Sequence, residues 1–226
     1  MKLRKWQQEC SNEALTHYLT NNKHFFCLAT PGAGKSVMAA DVAKSLINHN
    51  KIDHILCFAP STNIANGLKQ TFSKYLNASF NGYLGDLGAS YTYQSLPYFD
   101  KEFWNIFLLR NVLVVFDEIH HCAGNSESDS NVWGEEIITN IQDKASYTLA
   151  LSGTPWRSDN LPITLAPYNF QKTSVACNYV YGMSEAIMDN VCKIPNILLI
   201  DNQNIEIQSE SNVIDAYSSF IPFLKD

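Results

Sequence analysis

The chain has 226 residues, 46% of them hydrophobic and 17% charged, enough for one sizeable globular domain but not for a second of equal size. The formal net charge of −6 argues against a strongly basic surface that coats nucleic acid, although it leaves room for a local basic groove. No apolar run approaches the ~20 residues needed to cross a bilayer, and the opening MKLRKWQQEC lacks the apolar core of a signal peptide, so a cytoplasmic protein without a membrane partner is expected.

Along the chain, short apolar runs alternate with amphipathic segments, the pattern of a mainly parallel α/β sheet with helices on both faces. A polar helix is expected over residues 5–19, then a strand at HFFCLAT (24–30) that runs into a glycine-rich turn, then a helix over 37–48. HILCFAP (54–60) and residues 62–75 form the next strand and helix. YTY (91–93) reads as a strand followed by a helix through Leu108, and NVLVVFDEIHH (111–121) as a buried strand that breaks into acidic residues. A polar loop (123–131), a helix around 133–143 and a strand at SYTLALSGTP (146–155) follow; residues 158–226 are less regular. The six cysteines, Cys10, Cys27, Cys57, Cys122, Cys177 and Cys192, form no C-x-x-C pair and are expected to be reduced and mostly buried.

ATPGAGKS (29–36) fits the phosphate-binding pattern G-x-x-x-x-G-K-[ST] closely enough to be a candidate, and it sits between a strand and a helix, where that loop must lie. Thr30, Pro31, Gly32, Ala33 and Gly34 would wrap their backbone around phosphates, with help from the helix N-terminus. Lys35 would reach the β and γ phosphates and Ser36 would place its hydroxyl on Mg²⁺. DEIH (117–120) ends the buried strand VLVVF. Adjacent carboxylates at such a position are costly without a cation, so Asp117 is expected to hold the metal and Glu118 to orient and deprotonate the attacking water. The expected cofactors are ATP and Mg²⁺, and the candidate catalytic residues are Lys35, Asp117 and Glu118. His120 either couples this site to the SGTP turn or caps its own turn; the pair His120 and His121 lacks the other ligands of a zinc site. In open α/β sheets ligands bind at the carboxyl ends of strands, so Lys35, Asp117 and Thr154 should converge on one edge.

Taken in order, LRKWQ (3–7), ATPGAGKS, FAPS (58–61), TYQSL (92–96), DEIH and SGTPWR (152–157) resemble the adenine motif and motifs I, Ia, Ib, II and III of superfamily 2 helicases and translocases. The resemblance covers residues 3–157 and is closest to the branch of restriction-enzyme motor subunits and phage or repair helicases, whose adenine motif begins LRxxQ, rather than to the RNA DEAD-box group. GMSEAIMDNVCKIP (182–195) is similar to the segment that follows motif III in that branch. The resemblance implies a RecA-like first motor domain. Gln7 would read the adenine edge with Arg4 beside it, and Ser152 and Thr154 would couple nucleotide state to strand grip. Pro60, Ser61, Thr92 and Gln94 would line the nucleic-acid path, contacting phosphates and sugars. Tyr91 and Tyr93 could stack on bases, but alternating strand aromatics more often belong to the core.

Motors of this kind use two RecA-like domains, the second supplying an arginine finger typically worth ~10³–10⁵ in rate. Residues 1–226 are therefore expected to be a single ATP-binding domain, truncated from a longer motor and weak or inactive alone, with residues 158–226 leading toward the second domain. The expected partners are a second RecA-like domain and nucleic acid, DNA before RNA. The competing reading is a non-motor regulatory or partner-docking protein that kept the P-loop fold.

Overall fold

The runs HFFCLA, HILCFA, VLVVF and YTLALS are long enough for a strand and short for a helix. Each becomes a strand in the computed structural model, which describes residues 2–124, 130–159, 161–169, 171 and 174–192. The strands are β1 (His24–Ala29), β2 (His54–Ala59), β3 (Gly88–Thr92), β4 (Val112–Phe116), β5 (Tyr147–Ser152) and β6 (Tyr179–Tyr181). They form one sheet in the order β3-β2-β4-β5-β1-β6, and every pairing is parallel.

Because side chains alternate across a strand, the sheet divides its apolar residues between two cores. Phe25, Cys27 and Ala29 of β1, Ile55 and Cys57 of β2, and Leu113 and Val115 of β4 enter one cluster. Their neighbours Phe26, Leu56, Phe58, Val112, Val114 and Phe116 enter the other. The first core is covered by α1 (Lys5–Leu19), α2 (Lys35–Asn48) and α3 (Thr62–Leu76). In α1 the buried residues Trp6, Gln7, Cys10, Ser11, Ala14 and Tyr18 recur at helical spacing, so a polar helix still presents one face to the sheet. The second core lies under shorter pieces: a 3₁₀ turn at Tyr93–Tyr98, α4 (Lys101–Trp104), α5 (Ile106–Leu109) and α6 (Val132–Ile137), which runs into a π turn at Ile138–Gln142.

These pieces correct the expectation of one helix through Leu108. Pro97 sits inside the 3₁₀ turn, Phe99 is extended (φ −75°, ψ 131°), and Asp100 restarts the helix by accepting a 2.9 Å hydrogen bond from Phe103 N. The buried strand VLVVF ends at Phe116 as expected, and the acidic residues that follow it enter a turn. β6 and α7 (Met183–Met188) were not read as elements from the sequence; β6 has three residues, too few for a periodic signal. The end of the 182–195 segment and all of residues 196–226 lie outside the described residues. Among the described residues no helix is long and apolar enough to cross a membrane.

Strand register brings the candidate motifs to one level. Phe58 pairs with Phe116, Ala59 with Thr92, Leu28 with Ser152 and Ala29 with Tyr181, so the turns that follow β1, β2, β3, β4 and β5 open along the same carboxyl edge.

Candidate functional site

Leaving β1, the chain turns through residues 30–34 and enters α2 from Gly34, whose left-handed backbone (φ +93°) serves as the helix cap. Gly32 is also left-handed (φ +76°), and a side chain there would meet open space within 4 Å, so the loop exposes its backbone. The loop is fixed from both sides. Thr30 N donates to Tyr181 O (3.0 Å) of β6 and Ala33 N to Thr30 O (3.2 Å). From α1, Arg4 Nη1 donates to Ala33 O (2.6 Å) and Gln7 Nε2 to Gly34 O (2.9 Å), while Gln7 Oε1 accepts from Arg4 N (2.8 Å). Gln7, only 4% exposed, thus holds the loop, leaving one amide hydrogen and one lone pair for another partner. A side chain at Gly34 would come within 2.7 Å of Gln7 Nε2, so that glycine is needed for the close approach as well as for its dihedral.

Lys35 opens α2 and is 7% exposed. Its Nζ donates to Ala29 O (3.1 Å) and pairs with Glu118 Oε1 (3.1 Å). The other carboxylate oxygen of Glu118 accepts from Gly153 N (3.1 Å) and lies 3.4 Å from His120 Nδ1. Glu118 reaches this position from a left-handed backbone (φ 51°, ψ 50°), which is rare for a non-glycine residue and persists only where its surroundings over-determine it.

Those surroundings are identifiable. Asp117 N donates to Phe58 O of β2 (2.9 Å), and Asp117 O accepts from the buried hydroxyl of Tyr93 (2.8 Å). Farther along the turn, Arg157 Nη1 donates to His120 O, and Arg157 is itself held by Asp159 through its Nε (2.9 Å). Ser152 Oγ donates to Thr154 O (2.6 Å), accepts from Thr154 N (3.0 Å) and lies 2.9 Å from His120 Nδ1. With its one hydrogen committed to Thr154 O, Ser152 accepts from His120, so the imidazole carries its proton on Nδ1. Burial, followed by the neighbouring His121, lowers the His120 pKa, which favours the neutral ring.

Asp117 is 7% exposed and its Oδ1 has no hydrogen-bond partner. Burial, and then the adjacent Glu118, push its carboxyl up to about 6 against the pull of Lys35. A buried, unpartnered carboxylate oxygen in that environment suits a cation. Among the described residues no group of three or more His, Cys, Asp or Glu side chains is placed to hold a metal. One carboxylate, the half-buried Ser36 and phosphate oxygens would suit Mg²⁺, which keeps several waters.

Pro60, Ser61, Thr92 and Gln94 gather at the ends of β2 and β3: Gln94 Nε2 donates to Pro60 O (3.1 Å), Ser61 Oγ caps α3 through Ile64 N (3.4 Å), and Thr92 Oγ1 lies 3.1 Å from Ser95 Oγ. Tyr93 is fully buried and Tyr91 packs edge-on against Phe99 and Phe103, so both serve the core. Sequence reasoning missed the hold of Tyr93 and Arg157 on the DEIH turn and that of β6 on the loop after β1. The position of Tyr93 inside TYQSL and of Arg157 inside SGTPWR was the only available signal for the first two. Trp6, stacked on Tyr181 at 4.7 Å between ring centroids, ties α1 to β6.

The family described as "Type III restriction enzyme, res subunit" matches residues 1–157. An uncharacterized protein of Mycobacterium tuberculosis (strain ATCC 25618 / H37Rv) is 31% identical over 210 residues, which cover 84% of this chain and 32% of that protein, so the chain spans about a third of its relative's length. Among solved structures, the SWI2/SNF2 ATPase core of Sulfolobus solfataricus in complex with dsDNA has a TM-score of 0.56 at 15% identity, over 73% of this chain and 35% of that one. A fragment of a putative HsdR subunit of a type I restriction enzyme from Vibrio vulnificus YJ016 gives 0.54 at 20% identity, over 82% and 31%. At these identities the likeness is one of fold. The chain belongs to the family of the type III restriction enzyme res subunit, and its fold is RecA-like.

Proposed function

We propose that this domain binds Mg²⁺-ATP and hydrolyses it as one half of a motor that moves on DNA, the other half being a second RecA-like domain. The carrying observation is the ion pair between the buried Lys35 Nζ and the half-buried Glu118 Oε1 (3.1 Å), set beside the unpartnered Oδ1 of Asp117. Across this contact the lysine that would bind phosphates and the carboxylate that would activate water neutralise one another.

In this reading Lys35 exchanges Glu118 for phosphate oxygens, and the backbone of residues 32–36 receives the anion at the start of α2. Glu118, held at its Oε2 by Gly153 N, keeps Oε1 to accept a proton from the attacking water. Mg²⁺, held by Ser36 and Asp117, would supply charge neutralisation on the phosphates. His120, Ser152 and Thr154 connect the carboxylate to the turn after β5, a route by which the state of the site could reach the strand path at Pro60, Ser61, Thr92 and Gln94. Arg4 and Gln7 brace the phosphate loop and offer their remaining hydrogen-bonding capacity to the base.

Arg157 is committed to His120 O and Asp159, so it does not serve as an arginine finger, and a domain without one is expected to bind nucleotide but turn it over slowly. The test is titration of the chain with a fluorescent ATP analogue with and without Mg²⁺, beside Lys35→Ala, recording hydrolysis in the same samples. Binding that depends on Lys35 and Mg²⁺, with little turnover until a second domain and DNA are present, is expected. Wild-type binding that is absent or indifferent to Lys35 would move the reading to a regulatory protein that kept the fold.

A further inference from the structure

The strand path and the carboxylate pair lie on different turns, yet one side chain joins them. Tyr93 follows Thr92 and precedes Gln94 in sequence, while its ring is fully buried against Trp133 (centroids 5.9 Å apart) and its hydroxyl donates to Asp117 O (2.8 Å). Gln94 is exposed and bonded to Pro60 O, two residues beyond Phe58, whose own carbonyl accepts from Asp117 N (2.9 Å). Both main-chain polar groups of Asp117 are therefore held by the segments that carry Pro60, Thr92 and Gln94. The next residue is Glu118, in a left-handed conformation that only such external holds maintain.

We propose that Tyr93 is a positioning residue that transmits occupancy of the path at Thr92 and Gln94 to the Asp117–Glu118 turn, so that a bound strand sets the geometry in which Glu118 faces water. This rests on the reading of the domain as a nucleic-acid-dependent ATPase. The ring cannot shift independently of its neighbours because it is packed on all sides, so displacement of residues 92–94 pulls on the Asp117 carbonyl. Arg157, on His120 O, anchors the far end of the same turn, so a pull on the Asp117 carbonyl falls on the residues between the two anchors, Glu118 among them.

The experiment uses the full-length protein and a duplex DNA oligonucleotide, with ATP turnover measured without DNA and at saturating DNA. Tyr93→Phe keeps the ring and removes only the hydroxyl. The ratio of DNA-stimulated to basal kcat is expected to fall about ten-fold, the scale of one buried hydrogen bond, with KM for ATP and affinity for DNA little changed. A residue that merely supported the core would lower Tm and leave that ratio alone. The double substitution Thr92→Ala with Gln94→Ala, on the exposed side of the same segment, should lower the ratio as well, and combining it with Tyr93→Phe should add little further loss. A wild-type ratio in Tyr93→Phe, or losses that multiply independently, overturns the proposal alone. Wild-type turnover indifferent to DNA overturns the motor reading and this inference with it.

Discussion

Two turns face each other across the candidate site and achieve the same backbone conformation by opposite means. The loop after β1 places its positive φ values on Gly32 and Gly34, where they carry no steric cost. The turn after β4 places one on Glu118, where a side chain makes it unfavourable, and compensates with bonds from Tyr93, Phe58 and Arg157. The first turn is written locally and is ready to wrap an anion. The second is poised by its neighbours, which is suitable for a residue whose reactivity is to be governed from elsewhere in the domain.

The largest effect should come from the poised turn. Glu118→Gln should lower ATP turnover of the assembled motor by about 10²–10⁴-fold, the usual range for loss of a general base, while nucleotide binding survives. Steady-state turnover beside equilibrium titration checks this, and retained turnover would remove Glu118 from the chemistry. Next comes the local turn. Gly34→Ala must adopt a φ of +93° and place a side chain 2.7 Å from Gln7 Nε2, so a loss of about 1–3 kcal/mol of stability is expected, with weaker nucleotide binding. Gly32→Ala meets only the dihedral cost, and its smaller loss by thermal denaturation separates strain from collision.

The pH dependence is of intermediate size and belongs to Asp117. Its carboxyl is raised to about 6 in the folded chain, so between the ordinary carboxylate range and about pH 6 the folded state keeps a proton that the unfolded state has released. The stability of the free domain should therefore fall as pH rises through that window. A bound cation needs the carboxylate, so the gain in Tm given by Mg²⁺ with nucleotide should grow through the same window; Asp117→Asn should flatten both trends. The smallest effect isolates the strained backbone. Glu118→Asn and Glu118→Gln both remove the charge, but asparagine tolerates the left-handed region better, so the Asn variant should be the more stable by up to about 1 kcal/mol in denaturant titration. Equal stabilities would mean that the tertiary holds absorb the strain entirely.

Much of the candidate phosphate side was legible because its information is local: an apolar strand, glycines where φ must be positive, Lys35 and Ser36 at the helix start, and VLVVF followed by Asp117. The convergence of Lys35, Asp117 and Thr154 was also legible, since a parallel sheet brings its carboxyl ends to one edge. Less legible was the second core, where Pro97 and Asp100 cut one expected helix into short turns. β6 was not legible at all, because a strand of three residues is specified by the edge of β1 that accepts it.

What the amino-acid sequence determined by itself is the family, the α/β alternation and the residues of the candidate phosphate site, since these rest on residue type and short-range spacing. What only the tertiary structure decided is how those groups are held. Gln7 of α1 braces the loop after β1, Lys35 pairs with Glu118, and Tyr93 and Arg157 hold the turn between them. These contacts join residues from 24 to 83 positions apart, as Tyr93 to Asp117 and Lys35 to Glu118. No local propensity encodes such distances; they exist because the register of the parallel sheet brings the ends of its strands together.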